Sequence, residues 1–206
     1  KRNVSVGWVN GLDSFISVYF FTTQAPMHPG SSGGPLIRFR DNVPEIVGLN
    51  TAITGIGLLS LSLGIDHLTK VLPRLKTEKT VRHAASGLSV ANIDDVLPPL
   101  FEAATGMPYE ARKTLCAGVF VYEVKAGSSA EKAGVRTGDC LKSMSVSGRE
   151  IVFSSAERFA DMIFFDFRPE DRVVIKTARG GQAFTREFTL GVHEHMIQDT
   201  GGKGSY

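Results

Sequence analysis

The chain has 206 residues, 42% of them apolar, which is enough for one large domain or two modest ones with packed cores. Its 23 basic and 21 acidic side chains leave a net charge of +2, so charge gives no reason to expect nucleic acid or an anionic membrane as the main partner. No stretch approaches the ~18 continuous apolar residues of a membrane span, and residues 1–20 lack a signal-peptide pattern; a first residue of Lys1 rather than Met reads as a processed product or a part of something longer.

From Val4 to Leu63 the chain runs as short strand-like segments, VSVGWV (4–9), FISVYFF (15–21), PLIRF (35–39), EIVGLNTAI (45–53) and LLSLSL (58–63), separated by Gly, Pro, Asp and Asn. This is the pattern of a small barrel or sandwich. Asp66 then precedes Leu68, Val71, Leu72 and Leu75 at helical spacing, which predicts an N-capped amphipathic helix that Pro73 ends early. The polar run 76–85, with Lys76, Lys79 and Arg82, lacks apolar periodicity and reads as a linker.

The second half opens with GLSV (87–90), passes through a predicted helix around 96–104, and reaches the strand GVFVYEV (118–124). AGSSAEKAGVRTG (126–138) places a short helical turn between glycine stops, and 140–146 alternates as a half-buried strand. A helix is predicted over 154–163, capped by Ser154 or Ser155, with Phe159 and Ile163 on one face. RVVIK (172–176) and AFTREFTL (183–190) close the domain around the turn ARGGQ. Phe164, Phe165 and Phe167 read as core packing that continues the 154–163 helix, with an exposed patch as the alternative. Cys116 and Cys140 provide no disulfide framework and read as two core thiols, a single bridge being the other option.

HPGSSGGPL (28–36) carries the chemistry. A serine nucleophile needs its Oγ exposed on a tight turn beside backbone N–H groups aimed at a developing oxyanion, and Gly30, Gly33 and Gly34 around Ser32 permit that geometry. A plain glycine-rich turn is the competing reading. The wider run TTQAPMHPGSSGGPLI (22–37), together with GLNTAI (48–53) and the VSVGWV segment, resembles the active-site half of trypsin-like serine proteases of the HtrA type. The resemblance implies that Ser32 is the nucleophile, that the N–H groups of Gly30 and Ser32 form the oxyanion hole, and that Pro26 lies at the base of the specificity pocket. Without a carboxylate there, small or medium aliphatic P1 residues are expected.

GVFVYEVKAGSSAEKAGVRTGDCLKSMSVSGREI (118–151) is similar to the PDZ core that follows HtrA proteases. By that likeness Gly87, Leu88, Ser89 and Val90 form a carboxylate-binding loop for peptide C-termini. Phe159 and Ile163 would form the opposite wall of the groove, and Ser89 would stand where glycine is usual. The expected fold class is therefore mostly β: a trypsin-like second β-half-barrel over 1–75, a linker over 76–85, a PDZ domain over 86–192 and a flexible tail over 193–206.

A trypsin-like enzyme carries its general base His and the orienting Asp on a first half-barrel, and this sequence has no such segment. None of His28, His67, His83, His193 and His195 stands in the corresponding context; His28 reads as a loop residue. Gln24 and Ser31 replace an Asp and an Asn of the family pattern. Two functions stay open: a serine endopeptidase portion completed by a first half-barrel, or an inactive protease-like scaffold whose PDZ domain holds a partner. No cofactor is expected. His193 and His195 flank Glu194, yet no third ligand is evident, so no metal site is expected. The expected partners are peptide C-termini and a chain or segment covering the half-barrel, whose bare face would otherwise aggregate. The resemblance adds homo-oligomers, often trimers, and an extracytoplasmic or organellar location.

Overall fold

A computed structural model describes residues 4–15, 18–53, 59–78 and 80–193. Two β-rich units follow one another. The first is a curled five-stranded antiparallel sheet of β1 (Val9–Phe15), β2 (Val18–Thr23), β3 (Pro35–Arg40), β4 (Val43–Ile53) and β5 (Ser60–Gly64), in the order β1-β2-β5-β4-β3. The mostly β architecture with a curled half-barrel sheet is the one expected.

Its first strand is placed differently. Residues 4–8 lie outside the sheet, and β1 runs through Asn10-Gly11-Leu12, which reads locally as a break. Pairing of Leu12 with Phe21 and of Gly11 with Thr22 holds these turn-forming residues extended, a tertiary override of local propensity. The apolar run 15–21 is correspondingly divided between the end of β1 and the start of β2.

Helix α1 (Ile65–Glu78) starts one residue before Asp66, which therefore sits in the first turn instead of capping it. It also continues through Pro73 and three residues into the stretch expected as linker. A proline inside a helix removes one backbone bond, but α1 is packed against β4 and β5, and such docking outweighs local propensity.

The second unit begins with the short strand β6 (Ala84–Ala85), then β7 (Leu88–Asn92), α2 (Pro98–Thr105), α3 (Arg112–Leu115), β8 (Val119–Val124), α4 (Ser129–Lys132), β9 (Cys140–Val146), β10 (Arg149–Val152), α5 (Ala156–Asp161), β11 (Arg172–Arg179), β12 (Gln182–Thr189) and β13 (Gly191–Val192). A π-helical turn, Met162–Asp166, extends α5. The main sheet has the order β12-β11-β9-β8-β7, β10 pairs β9, and β13 pairs β6. Ser155 caps α5 by accepting from the Arg158 N–H at 3.2 Å, and Ser128 caps α4.

The main core gathers Val119, Val121, Leu141, Met144, Phe159, Val173 and Ile175 from sheet and helix. A smaller core beneath α2 holds Ile93, Val96, Phe101 and Phe120. There Cys116 and Cys140 are joined in a disulfide, which corrects the reading of two separate thiols. Neither the Leu115 and Ala117 neighbours of Cys116 nor the Asp139 and Leu141 neighbours of Cys140 mark the pairing; the return of the chain after α3 brings the two together. Phe165 and Phe167 are buried, as core packing requires.

The two units meet at Asp161. Lys70 Nζ of α1 donates to Asp161 Oδ2 at 2.7 Å and pairs with Asp166 at 3.2 Å, while Arg158 reaches the same Oδ2 at 3.2 Å. His67, buried, places Nδ1 3.5 Å from Asp161 Oδ1 and its ring centroid 4.4 Å from that of Phe165. Burial holds the imidazole below the usual histidine value, ahead of the opposing pull of Asp161. His83 stacks on Phe164 at 3.9 Å. A cavity of about 690 Å³ lies beside this contact, between Leu12 and Arg38 of the half-barrel and Ser155 and Arg158 of α5.

Candidate active site and peptide groove

Ser32 is exposed on the turn between β2 and β3. Two left-handed residues shape that turn, Gly30 with φ +92° and Gly33 with φ +80°, conformations that favour glycine. Hydrogen bonds fix the rest: Ser31 N–H donates to the His28 carbonyl at 2.9 Å and Gly34 N–H to the Ser31 carbonyl at 3.0 Å. Asn50 on β4 then grips the turn from both sides. Its carbonyl accepts from Gly33 N–H at 2.9 Å, and its own N–H donates to the Gly34 carbonyl at 2.8 Å. Its side chain accepts from Ser62 Oγ at 3.0 Å, which ties the turn to β5. The sequence marks GLNTAI only by resemblance; the supporting role of Asn50 becomes visible in the strand register.

The Gly30 and Ser32 N–H groups find no protein acceptor among the described residues, and Ser32 Oγ reaches only the Thr51 carbonyl, at the long distance of 3.5 Å. His28 contacts this turn through its backbone, its N–H donating to Ser31 Oγ at 3.3 Å. Among the described residues no imidazole or carboxylate is hydrogen-bonded to Ser32. Pro26 is exposed, and its predecessor is fixed: Ser60 Oγ donates to the Ala25 carbonyl at 2.8 Å. Gly7 passes so near that a Cβ there would lie 2.2 Å from Ala25 N.

In the second unit β7 is an edge strand, paired on one side by β8. The left-handed residue at its entrance is Gly87, φ +74°, where a Cβ would lie 2.6 Å from Ser128 Cβ. Ser89, expected to crowd the loop, lies in the strand itself, with Oγ donating to Glu123 Oε2 at 3.1 Å. The buried Ser86 hydroxyl accepts from Leu88 N–H at 3.2 Å. Leu88 and Val90 pack against the main core, in which Phe159 is 2% and Ile163 6% exposed. At the far end of the strand Asn92 Oδ1 accepts from Ala156 N–H at 2.8 Å, clamping β7 to α5.

His193 N–H donates to the His83 carbonyl at 2.8 Å, in continuation of the β13–β6 pair. Glu194, His195 and the rest of the tail lie outside the described residues, as does Lys79 of the expected linker. No group of three metal-ligating side chains occurs among the described residues. No helix among them is long and apolar enough to cross a membrane.

No family model matches the chain. It is 27% identical over 205 residues to the serine protease Do-like HtrA of Bacillus subtilis, covering 92% of this chain and 43% of that protein. It is 32% identical over 175 residues to a probable periplasmic serine endoprotease, DegP-like, of Chlamydia trachomatis, covering 83% of this chain and 32% of that protein. The chain therefore spans less than half the length of these relatives. Among solved structures, the HtrA-type protease AlgW with a decapeptide superimposes with a TM-score of 0.69 at 21% identity, over 94% of this chain and 57% of that one. Kinship over nearly the whole length and a shared fold lead to one conclusion: the chain belongs to the HtrA-type family of trypsin-like serine proteases.

Proposed function

We propose that this chain supplies the nucleophile half of an HtrA-type serine endopeptidase and a PDZ domain that captures peptide C-termini. Ser32 attacks the scissile carbonyl, and the N–H groups of Gly30 and Ser32 receive the oxyanion. A first half-barrel provides the general base and its orienting carboxylate. The observation that carries this reading is an exposed serine on a turn held by two left-handed glycines and by Asn50. Pro26 offers no charge to a basic P1 side chain, so aliphatic P1 residues are preferred. The test is labelling by a fluorophosphonate probe. A chain extended by the upstream half-barrel should react at Ser32 and lose the reaction in Ser32→Ala. The 206-residue chain alone should not react, since loss of triad members costs about 10⁴ to 10⁶ in rate. Labelling of the chain alone would overturn the assignment of the base.

A second reading, an inactive scaffold, is favoured by the absence of any hydrogen-bonded base at Ser32 among the described residues. The same labelling separates the two, because a scaffold stays silent when extended.

For the groove, the open edge of β7 supports addition of an extended peptide as a further strand. The ligand carboxylate replaces Ser86 Oγ at Leu88 N–H, and its terminal apolar side chain parts Leu88 and Val90 from Phe159 and Ile163. AlgW, in the solved structure above, carries a decapeptide. Calorimetry with a Val-ended peptide should give micromolar affinity, about −8 kcal/mol. The C-terminally amidated twin should bind much more weakly; equal affinity of the two would remove the carboxylate site.

A further inference from the structure

A cationic cluster lies on the second unit, built from residues that neither Ser32 nor the β7 edge uses. The β11–β12 pairing sets Ile175 opposite Arg186, Thr177 opposite Phe184 and Arg179 opposite Gln182. Strand alternation then places Arg179, Phe184 and Arg186 on one face of the sheet. The guanidinium carbons of Arg186 and Arg179 stand 4.3 and 5.4 Å from the Phe184 ring centroid, so a single ring orients both cations. Arg186 is fixed further by donating to Thr177 Oγ1 at 3.2 Å, and Arg179 by donating to the Gly134 carbonyl at 3.4 Å. Arg136 joins them from the turn after α4, with an exposed side chain.

One carboxylate stands among them. Asp139, fully buried, accepts from Arg179 Nε at 2.6 Å through Oδ1 and from the Arg136 backbone N–H at 3.1 Å through Oδ2. No other ion pair reaches Arg136, Arg179 or Arg186 among the described residues. The cluster therefore keeps two positive charges in excess. Burial, with repulsion from Arg179 and Arg136 set against the attraction of Asp139, holds the Arg186 guanidinium below its usual value.

We propose that Arg136, Arg179 and Arg186 form a binding site for a phosphate-type oxyanion. Forked guanidinium donors suit a tetrahedral oxyanion better than ammonium groups do, and a dianion matches the excess charge. Arg179, its side chain 29% exposed, and Arg186, held by the Phe184 ring, present their guanidinium groups on the same face of the sheet. The occupant is free phosphate and not the plane of a lipid surface.

The test uses the full 206-residue chain. Inorganic phosphate at 10–20 mM, a range set by a millimolar dissociation constant of about −4 kcal/mol, should raise the melting temperature by a few degrees beyond sodium chloride of equal ionic strength. Arg136→Gln removes an exposed side chain that makes no described hydrogen bond or ion pair and relieves repulsion on Arg186, so it should not lower the melting temperature in chloride while it weakens phosphate binding about tenfold. Arg186→Gln should abolish the phosphate effect. An equal rise in chloride, or an undiminished phosphate effect in Arg136→Gln, would overturn the site. Co-sedimentation of the chain with phosphatidylglycerol vesicles, lost in Arg136→Gln, would replace the free anion by a lipid headgroup and overturn the proposed occupant.

Discussion

The half-barrel and the domain that follows it bury their residues in opposite ways. Every fully buried apolar side chain among the described residues lies at Val81 or beyond. Before it, the buried set consists of polar groups, Thr22, Thr23, Ser60, Ser62 and His67, while Trp8 is 80%, Leu12 62% and Phe39 73% exposed. Among its described residues the five-stranded sheet fully buries no apolar side chain, so hydrophobic burial offsets little of the conformational entropy of its ordering. The second unit has two packed cores. The second unit is thus a domain in the energetic sense, while the described apolar side chains of the first stay half-buried or exposed.

The largest effect expected from this contrast is in the cores. Phe120→Ala, at a site 1% exposed, should cost about 3–5 kcal/mol in urea denaturation. A loss below ~1 kcal/mol would mean that the second unit is not the stable one. Next comes the disulfide. With its ends 24 positions apart in the sequence, reduction under non-denaturing conditions should lower stability by about 3 kcal/mol, measured against an oxidised control with thiol titration.

A smaller effect belongs to the contact between the units. Asp161→Ala leaves Lys70 and Arg158 facing each other beside the buried His67, at a cost of about 1–2 kcal/mol given their partial exposure. If proteolysis of α1 is no faster in that variant, Asp161 does not hold the units together. The pH dependence follows from His67. Its folded value lies below the 6.5 of an unfolded chain, so the unfolded state takes up the proton first. Stability is full above pH 6.5 and declines as pH falls below it, and His67→Gln should flatten that decline in a melting series from pH 7.5 to 5.5. Lys70 has the opposite window: burial opposes its charge, but Asp161 and Asp166 prevail and raise its value, so its contribution holds below 10.5 and fades as pH rises through the folded value. Last, Phe39→Ala should change the stability of this chain by less than ~0.5 kcal/mol, and by several times more once an upstream half-barrel covers the sheet. Equal costs in both would show that the bare face is not the docking face.

The sequence was most legible where a local rule and the tertiary fold agree. β9 occupies the alternating run 140–146, and α5 starts after Ser155, one of its two expected caps. It was least legible where the fold overrules the local rule. Asn10-Gly11 looks like a break until β2 pairs with it, and Pro73 looks like a stop until α1 is packed. The turn around Ser32 could be located because glycine spacing and resemblance coincide at 30–34, whereas Asn50, twenty residues from Gly30, contributes mainly backbone groups that any residue type could offer. Asp161 left a faint signal, a carboxylate within the apolar stretch DMIFFDF, whose meaning depends on Lys70 arriving from another unit. GLSV alone does not tell which residue adopts a left-handed backbone; in the structure Gly87 does, at the entrance to β7.

The Cys116–Cys140 bond also bears on how the molecule would survive damage. It closes a covalent ring around the inner strand β8, the short helix α4 and the turns at Gly127 and Gly138. A single cut of the backbone inside that ring leaves both pieces tethered within reach of their sheet, and the closing strands β11 and β12 keep their register from the uncut side. A nicked molecule would then migrate as one species until a reductant is added.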